Sequence, residues 1–246
     1  MSLPSSATAA TVLSLGTAQT LAWASSYYLP ALLAQPMARD LGVGAPTVFA
    51  AFSVALLVSA ALGPAAGRAI DRHGGRPVLM ATSGLFAAGL VALACAQGPL
   101  GLFAAWALLG LAMGSGLYEA AFAALVRLHG QGARGAITGI TLLAGFASTV
   151  GWPLTAWLEL TVGWRGACLT WAGLHLLLGL PLNAMLPRAP AVQHEASAAP
   201  VSATTAKAGD RQPFAWTSAL LAFSFAITWF ISTAMAAHLP RLLQAG

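Results

Sequence analysis

Glu119 is the side chain in this sequence with the clearest chemical potential, because it is the carboxylate that lies well inside an apolar stretch. A carboxyl group at such a position is costly in a membrane and is by default a candidate for function. It could carry a coupling proton or pair with a cationic solute. A hydrogen bond or ion pair to another helix is the structural alternative, but no Lys or Arg lies deep inside an apolar stretch to pair with it.

Two other apolar stretches carry aromatic and polar side chains at helical spacing. The members are Gln19, Trp23, Ser26, Tyr27 and Pro30 in the first stretch, and Thr141, Gly145, Ser148, Trp152 and Thr155 in the second. Such stripes suit a cavity that binds a small organic molecule by stacking and a few hydrogen bonds. They equally suit close packing of membrane helices, and both interpretations stay open. The Gly110 and Gly114 pair favours packing.

His175 could relay protons, with a structural role as the alternative, and Asn183 is expected to form hydrogen bonds at a helix end. Ser115 and His175 lie where rhomboid proteases place their dyad. The Gly-x-Ser-Gly motif of those proteases is incomplete here, since the chain reads Met113-Gly114-Ser115-Gly116. No P-loop or HExxH motif is present either. We therefore predict that the protein is not an enzyme and uses no cofactor or metal.

The composition of the chain indicates which kind of structure holds these residues in place. Of 246 residues 7% are charged and 58% are hydrophobic, whereas a soluble domain carries about 25% charge. The sequence therefore predicts an all-α, polytopic membrane protein. The net charge of +5 comes with no nucleic-acid-binding module, so we expect no nucleic-acid partner. The expected partners include the lipid bilayer and a small-molecule substrate.

Seven stretches are long enough to span a bilayer, which takes about 20 apolar residues. The predicted spans are Thr11–Ala34, Pro46–Ala69, Pro77–Ala96, Leu100–Val126, Ala133–Leu158, Trp164–Leu186 and Phe214–Leu239. These boundaries predict an N-terminal bundle of six spans over residues 1–186. A flexible linker rich in Ala, Ser, Thr and Pro follows over 187–213, and then a seventh span within 214–246.

The basic residues predict the orientation. The connections after the second, fourth and sixth spans hold Arg68, Arg72, Arg76, Arg127, Arg134, Arg188, Lys207 and Arg211, and the other side holds Arg39, Arg165 and Arg241. Positive residues concentrate on the cytoplasmic side. The N-terminus and the linker are therefore expected to be cytoplasmic.

A charged segment, Gly67 to Pro77, separates the second and third spans. It reads G-R-A-I-D-R-H-G-G-R-P. Gly67 is expected to permit close helix approach, Gly74-Gly75 a tight turn, and Pro77 the start of the next helix. Arg72 and Arg76 can reach lipid phosphates or helix-end carbonyls. Asp71 opposes the helix dipole and needs a nearby donor or cation.

This segment resembles the signature between the second and third helices of major facilitator superfamily (MFS) transporters, G-x-x-x-D-R-x-G-x-R. The matching positions are Gly67, Asp71, Arg72, Gly74 and Arg76. Arg134-Gly135 with Gly139, and Gly163-Trp164-Arg165, also look like family features. The resemblance implies a six-helix bundle of two three-helix repeats, and transport of a small organic solute across the inner membrane by alternating access, driven by a solute or proton gradient. It also implies that Asp71 latches two halves of a transporter by meeting the start of an eleventh helix.

The resemblance covers seven of the family's usual twelve helices. We therefore expect a truncated chain that lacks helices eight to twelve, with a half-transporter that needs a second chain as the alternative. The fourth span has Trp106 where drug–proton antiporters carry arginine, which argues against that branch. The Tyr27-Tyr28 pair looks weakly like the monocarboxylate and oxalate porters.

Overall fold

The computed structural model describes residues 6–188, 216, 220–221 and 223–235. The chain divides into two units after Ala189. The second unit contains the apolar helix Phe223–Met235. The rest of the predicted seventh span, and all but the first two residues of the predicted linker, lie outside the described residues.

The first unit is built from α-helices, and no strand occurs among its described residues. The helices are α1 (Ser6–Ser25), α2 (Leu29–Asp40), α3 (Ala45–His73), α4 (Gly75–Ala94), α5 (Pro99–Gly116), α6 (Tyr118–His129), α7 (Ala133–Ala144), α8 (Ala147–Leu174) and α9 (Leu180–Ala184). A 3₁₀ turn, Gly130–Gly132, precedes α7, and a π-helical turn, His175–Gly179, joins α8 to α9. Helix α8 is interrupted at Gly163, where φ is 72°.

Three stretches of the described chain are long and apolar enough to cross a membrane. They are α3, α4 and the run Pro99–Ala184, which passes through several joined helices. The prediction of an all-α polytopic membrane protein is confirmed in this respect.

The packing centres on two helices. Helix α5 lies between α3 and α4, and α1 packs against α7 and α8. The α3–α5 contact depends on small residues, because a Cβ on Gly110 would lie 2.5 Å from the Ala55 carbonyl oxygen, and one on Gly114 would lie 2.7 Å from the Ser59 carbonyl oxygen. The predicted packing role of this glycine pair is therefore confirmed.

The predicted first span is wrong in one respect, because it is two helices rather than one. Helix α1 ends at Ser25 and α2 begins at Leu29. Pro30 lies in the first turn of α2, where its ring would clash with the carbonyl of Ser26 in a continuous helix. The Ser25 and Ser26 hydroxyls donate to the carbonyls of Leu21 and Ala22 at the end of α1.

The predicted fourth and fifth spans are also broken. Leu117, with extended backbone at φ −84° and ψ −162°, separates α5 from α6. Gly145 and Phe146 separate α7 from α8. Hydropathy does not detect such breaks, because the side chains on both sides remain apolar. They set the direction of the helices that carry Glu119 and Trp152.

Candidate functional site

Helix α1 supplies hydrogen-bond donors to the break between α5 and α6 and to the break between α7 and α8. Gln19 Nε2 donates to the Gly116 carbonyl at 2.7 Å. Thr20 Oγ1 lies 2.9 Å from the Gly16 carbonyl of its own helix and 3.1 Å from the Leu143 carbonyl, so its single hydrogen is shared between the two. Backbone carbonyls freed inside a membrane are costly unless a neighbouring group satisfies them. These adjacent residues of α1 therefore stabilise the interruptions in two other helices.

An aromatic cluster gathers around the breaks in α1/α2 and α5/α6. The ring of Trp23 lies 5.1 Å from Tyr27 and 4.8 Å from Tyr118, measured between centroids. Tyr28 lies 6.0 Å from Trp152 on α8. These distances are typical of attractive aromatic pairs. Of the predicted site residues, the structure thus brings Trp23, Tyr27 and Trp152 into one cluster.

The sequence did not assign Tyr118 or Phe122 to a site. Their rings are stacked at 5.3 Å with an interplanar angle of 9°. Tyr118 is the first residue of α6, so its position depends on the break at Leu117. In the sequence, the run Gly114-Ser115-Gly116 just before Leu117 indicated that the helix could break there, because glycines permit an interruption.

Glu119 lies in the first turn of α6 and is exposed on the surface of the first unit. The start of a helix stabilises a carboxylate, because unpaired N–H groups and the helix dipole give it partial positive charge. Phe122 is three residues further along and therefore lies on the same face of α6. The Tyr118–Phe122 stack and the carboxylate are neighbours on this surface.

The other predicted pathway residues lie elsewhere. Gln19 is buried, with 2% of its surface exposed, and contacts the backbone of another helix. Thr141 is exposed and donates to the Ile137 carbonyl of its own helix, at 2.8 Å. His175 is buried, and its Nε2 lies 2.7 Å from Ser25 Oγ. These contacts do not join the three residues to the aromatic cluster.

Ser115 does not pair with His175 through a hydrogen bond. Its hydroxyl donates to the Leu111 carbonyl at 2.8 Å and lies 3.1 Å from Thr82 Oγ1. The ring of His175 instead stacks on Phe86 at 4.7 Å. Ser115 and His175 therefore do not form the dyad that was considered, and set aside, from their positions in the sequence. Within the described residues, no group of three His, Cys, Asp or Glu side chains could hold a metal ion.

The charged segment, expected as the connection between the second and third spans, is mostly helical. Gly67, Asp71 and Arg72 lie within α3, and Arg76 lies in the first turn of α4. Gly74 makes the turn with φ of 88°, as predicted. A positive φ disfavours side chains with a Cβ, so a single glycine suffices to reverse the chain.

In the structure, the close helix approach and the cation expected near this segment come from residues other than those predicted. A Cβ on Gly67 would have no described atom within 4 Å, whereas one on Gly75 would collide with Ala124. The close approach therefore occurs at Gly75, where α4 meets α6. The cation at the end of α3 is Arg127, whose Nη1 donates to the carbonyls of Ile70 and Asp71 rather than to a carboxylate.

A cavity of about 360 Å³ lies beside the turn at Gly74. It is lined by His73, Gly74, Arg76, Pro77, Met80 and Arg188. Its polar lining is basic, in keeping with the expected contact of Arg76 with anionic groups.

A second polar cluster lies at the end of α2. Arg165 Nη2 lies 2.9 Å from Asp40 Oδ2 and donates to the Ala96 carbonyl at 2.8 Å. Trp164 Nε1 donates to the same Asp40 oxygen at 3.2 Å, and the Arg165 guanidinium lies 4.2 Å from the Trp164 ring centroid. The turn at Gly163 thus ties together the ends of α2, α4 and the two parts of α8.

We expect Asp40→Asn to lower the thermal unfolding midpoint, Tm, by roughly 4 °C or less. The ion pair is more than one-third exposed, and such pairs contribute about 0.2–1 kcal/mol. Arg165→Leu should lower Tm further, because it also removes the bond to Ala96 and the contact with Trp164. Thermal unfolding in detergent measures both, with the exposed Arg39→Leu as control. Equal effects of the Arg165 and Arg39 variants would contradict this role.

Residues 15–246 match the family model described as Major Facilitator Superfamily. A curated relative from Thermoproteus tenax, described as an uncharacterized 38 kDa protein in the 23S RNA operon, is 34% identical over 157 residues. That match covers 63% of this chain and 40% of the relative, so it spans well under half of the relative's length. Members of the superfamily are membrane transporters, and the family model covers nearly the whole sequence. The chain therefore belongs to the Major Facilitator Superfamily.

Proposed function

We propose that the protein takes part in secondary active transport of a small organic solute by alternating access. The observation that carries this proposal is that the aromatic cluster and Glu119 lie next to each other at the break between α5 and α6. Aromatic rings supply stacking surface for an organic molecule. The carboxyl group at a broken helix supplies a group that can bind a proton or a cationic part of the solute.

In this proposal Trp23, Tyr27 and Trp152 contact the solute, together with Tyr28 and Tyr118. Glu119 is the leading coupling or recognition residue. Gln19 acts by holding the Gly116 carbonyl, and Thr141 and His175 remain candidates for the pathway. The charged segment would switch the conformation through Asp71. The protein would lie in the inner membrane with its N-terminus in the cytoplasm, as the basic residues indicate.

The test reconstitutes the chain in proteoliposomes that contain a pH-sensitive dye and receive organic cations, anions or neutral solutes. We expect one solute class to drive proton movement. Glu119→Gln should abolish that movement while exchange of labelled solute continues, because an amide cannot take up the proton. Glu159→Gln is the matched control, since Glu159 is a half-buried glutamate on α8.

Two results would contradict separate parts of the proposal. Unchanged coupling in the Glu119→Gln protein would exclude the carboxyl group as the coupling residue. Absence of exchange with every solute would contradict transport by this chain.

A half-transporter is the second candidate, because the matched region covers 40% of the relative. Substrate sites in inverted-repeat transporters lie between two repeats that move against each other. Exchange that requires co-expression with a second chain carrying further spans would favour this candidate. Exchange by the chain alone would exclude it.

A further inference from the structure

A small internal cavity lies between α1, α4 and the π-helical turn of the first unit. Its volume is about 10 Å³, close to the minimum that holds one water molecule. The polar residues that line it are Gln19, Thr82, Ser83, His175 and Asn183. None of these carries a carboxylate.

The Gln19 amide presents an acceptor to this cavity. Its Nε2 donates to the Gly116 carbonyl at 2.7 Å, and a carbonyl can only accept, so the orientation of the amide is fixed. Oε1 is therefore the acceptor of this amide. It is buried, and no donor reaches it among the described residues.

Asn183, a lining residue on α9, has a similar arrangement of hydrogen bonds. Its Nδ2 donates to the Leu79 carbonyl at 3.2 Å and to Ser83 Oγ at 3.0 Å. The Leu79 carbonyl fixes the amide, which leaves Oδ1 as an acceptor. The side chain is 7% exposed, and Oδ1 also has no donor within the part of the chain that the structure describes.

His175 adds a third acceptor. The Ser25 hydroxyl has one hydrogen, which it donates to the Leu21 carbonyl at 2.8 Å. Ser25 Oγ must then accept from His175 Nε2, 2.7 Å away, so we assign the tautomer with Nδ1 unprotonated. Nδ1 lies 3.3 Å from where a Cβ on Gly179 would be, and Gly179 is part of the cavity wall.

The hydroxyl groups of the wall supply no donor to the cavity. Thr82 Oγ1 donates to the Val78 carbonyl at 2.9 Å, and Ser83 Oγ donates to the Leu79 carbonyl at 3.2 Å. The cavity therefore offers acceptors, and buried acceptors without a donor are destabilising. Its occupant must be small and must donate hydrogen bonds.

We propose that this cavity is a binding site for a single water molecule that donates to Gln19 Oε1 and Asn183 Oδ1. A bare cation is a poorer match, because the lining contains no carboxylate to offset a charge buried at this depth. The bound water connects Gln19, which holds the carbonyl just before α6, to the helix that follows the π-helical turn. It thereby links the position of the Glu119 helix to α9, whatever solute is transported.

Two measurements on the unmodified chain in lipid nanodiscs test the site directly. A high-resolution density map should show one peak within about 2.7–3.2 Å of both amide oxygens. Tm should be the same in sodium chloride and in choline chloride at equal ionic strength. Absence of the peak would overturn the proposal, and a rise of Tm in sodium would overturn it in favour of a cation.

Variants test whether the two amides share one ligand. Gln19→Met and Asn183→Leu should each lower Tm by at least about 2–4 °C. The double variant should lower it by less than the sum, because the same water is lost in both single variants. The exposed Gln97→Met is the matched control and should leave Tm unchanged. Additive effects of the two buried variants would overturn a shared ligand, and if either variant fails to fold, the density and the salt comparison decide.

Discussion

Gly110→Ala is expected to destabilise the first unit strongly. The new Cβ would lie 2.5 Å from the Ala55 carbonyl oxygen and 2.8 Å from the Ala55 Cα. Both are backbone atoms, so relief requires that α3 and α5 move apart rather than that a side chain rotates. Overpacking costs about 1–3 kcal/mol, and each kcal/mol lowers Tm by about 2–4 °C in a unit of this size. Because the contact is with backbone, we expect the upper end of that range, measured by thermal unfolding in detergent.

Gly84→Ala is the matched control for this substitution. Gly84 lies within α4, and an added Cβ would have no described atom within 4 Å. Alanine favours a helix over glycine by about 0.5–1 kcal/mol, so Tm should stay constant or rise slightly. A similar loss of Tm in both variants would show that the α3–α5 contact is not the cause.

The helices of this fold are largely predictable from hydropathy, but their interruptions are not. The predicted span Pro77–Ala96 corresponds closely to α4, since Gly74 reverses the chain before it. The predicted span Leu100–Val126 hides a break at Leu117, because apolar residues continue through it. Whether a run of glycines bends, packs or breaks a helix depends on its neighbours. Here Gly116 is required for contact with α4, since a Cβ would collide with Thr82.

The candidate site could be predicted in part, because residue spacing shows which side chains share a helix face. Residue spacing correctly grouped Trp23 with Tyr27, which are four apart on a single chain segment. It could not relate Trp152 to Tyr28, or Tyr118 to Trp23, because those contacts depend on how separate helices are oriented. Gln19 shares the spacing of Trp23, but its hydrogen bond to Gly116 exists only because α5 ends there. Sequence patterns predict which side chains share a helix face, while contacts across helices depend on breaks that apolar composition conceals.

The charged segment shows that a sequence motif does not reveal contacts with distant helices. Its five matching positions predict the family and one tight turn, but not the partner of the α3 terminus. That partner is Arg127, 56 residues beyond Asp71 in the sequence. The last carbonyls of a helix lack intrahelical donors, and a cation at this end also favours the helix dipole.

Arg127→Met should therefore loosen the end of α3 and lower Tm by about 3–6 °C. Hydrogen bonds from a charged group contribute about 1.5–3 kcal/mol, and the partial exposure of Arg127 places the effect at the lower end. Arg127→Lys should give an intermediate loss, because an ammonium keeps the charge but not the planar arrangement of donors. Arg134→Met, at an exposed arginine near the start of α7, is the matched control and should have little effect.

A local measurement separates this role from general destabilisation. Trypsin should cleave after Arg72 faster in the Arg127→Met protein, because the last turn of α3 opens more often without its donors. The peptide bond after Arg76 precedes proline and resists the same protease, so the new cut maps to the helix end alone. Unchanged cleavage after Arg72, even with a lower Tm, would show that Arg127 stabilises the bundle without holding the charged segment. Faster cleavage would instead establish that α6, the helix that carries Glu119, also fixes the end of the segment that identifies the family.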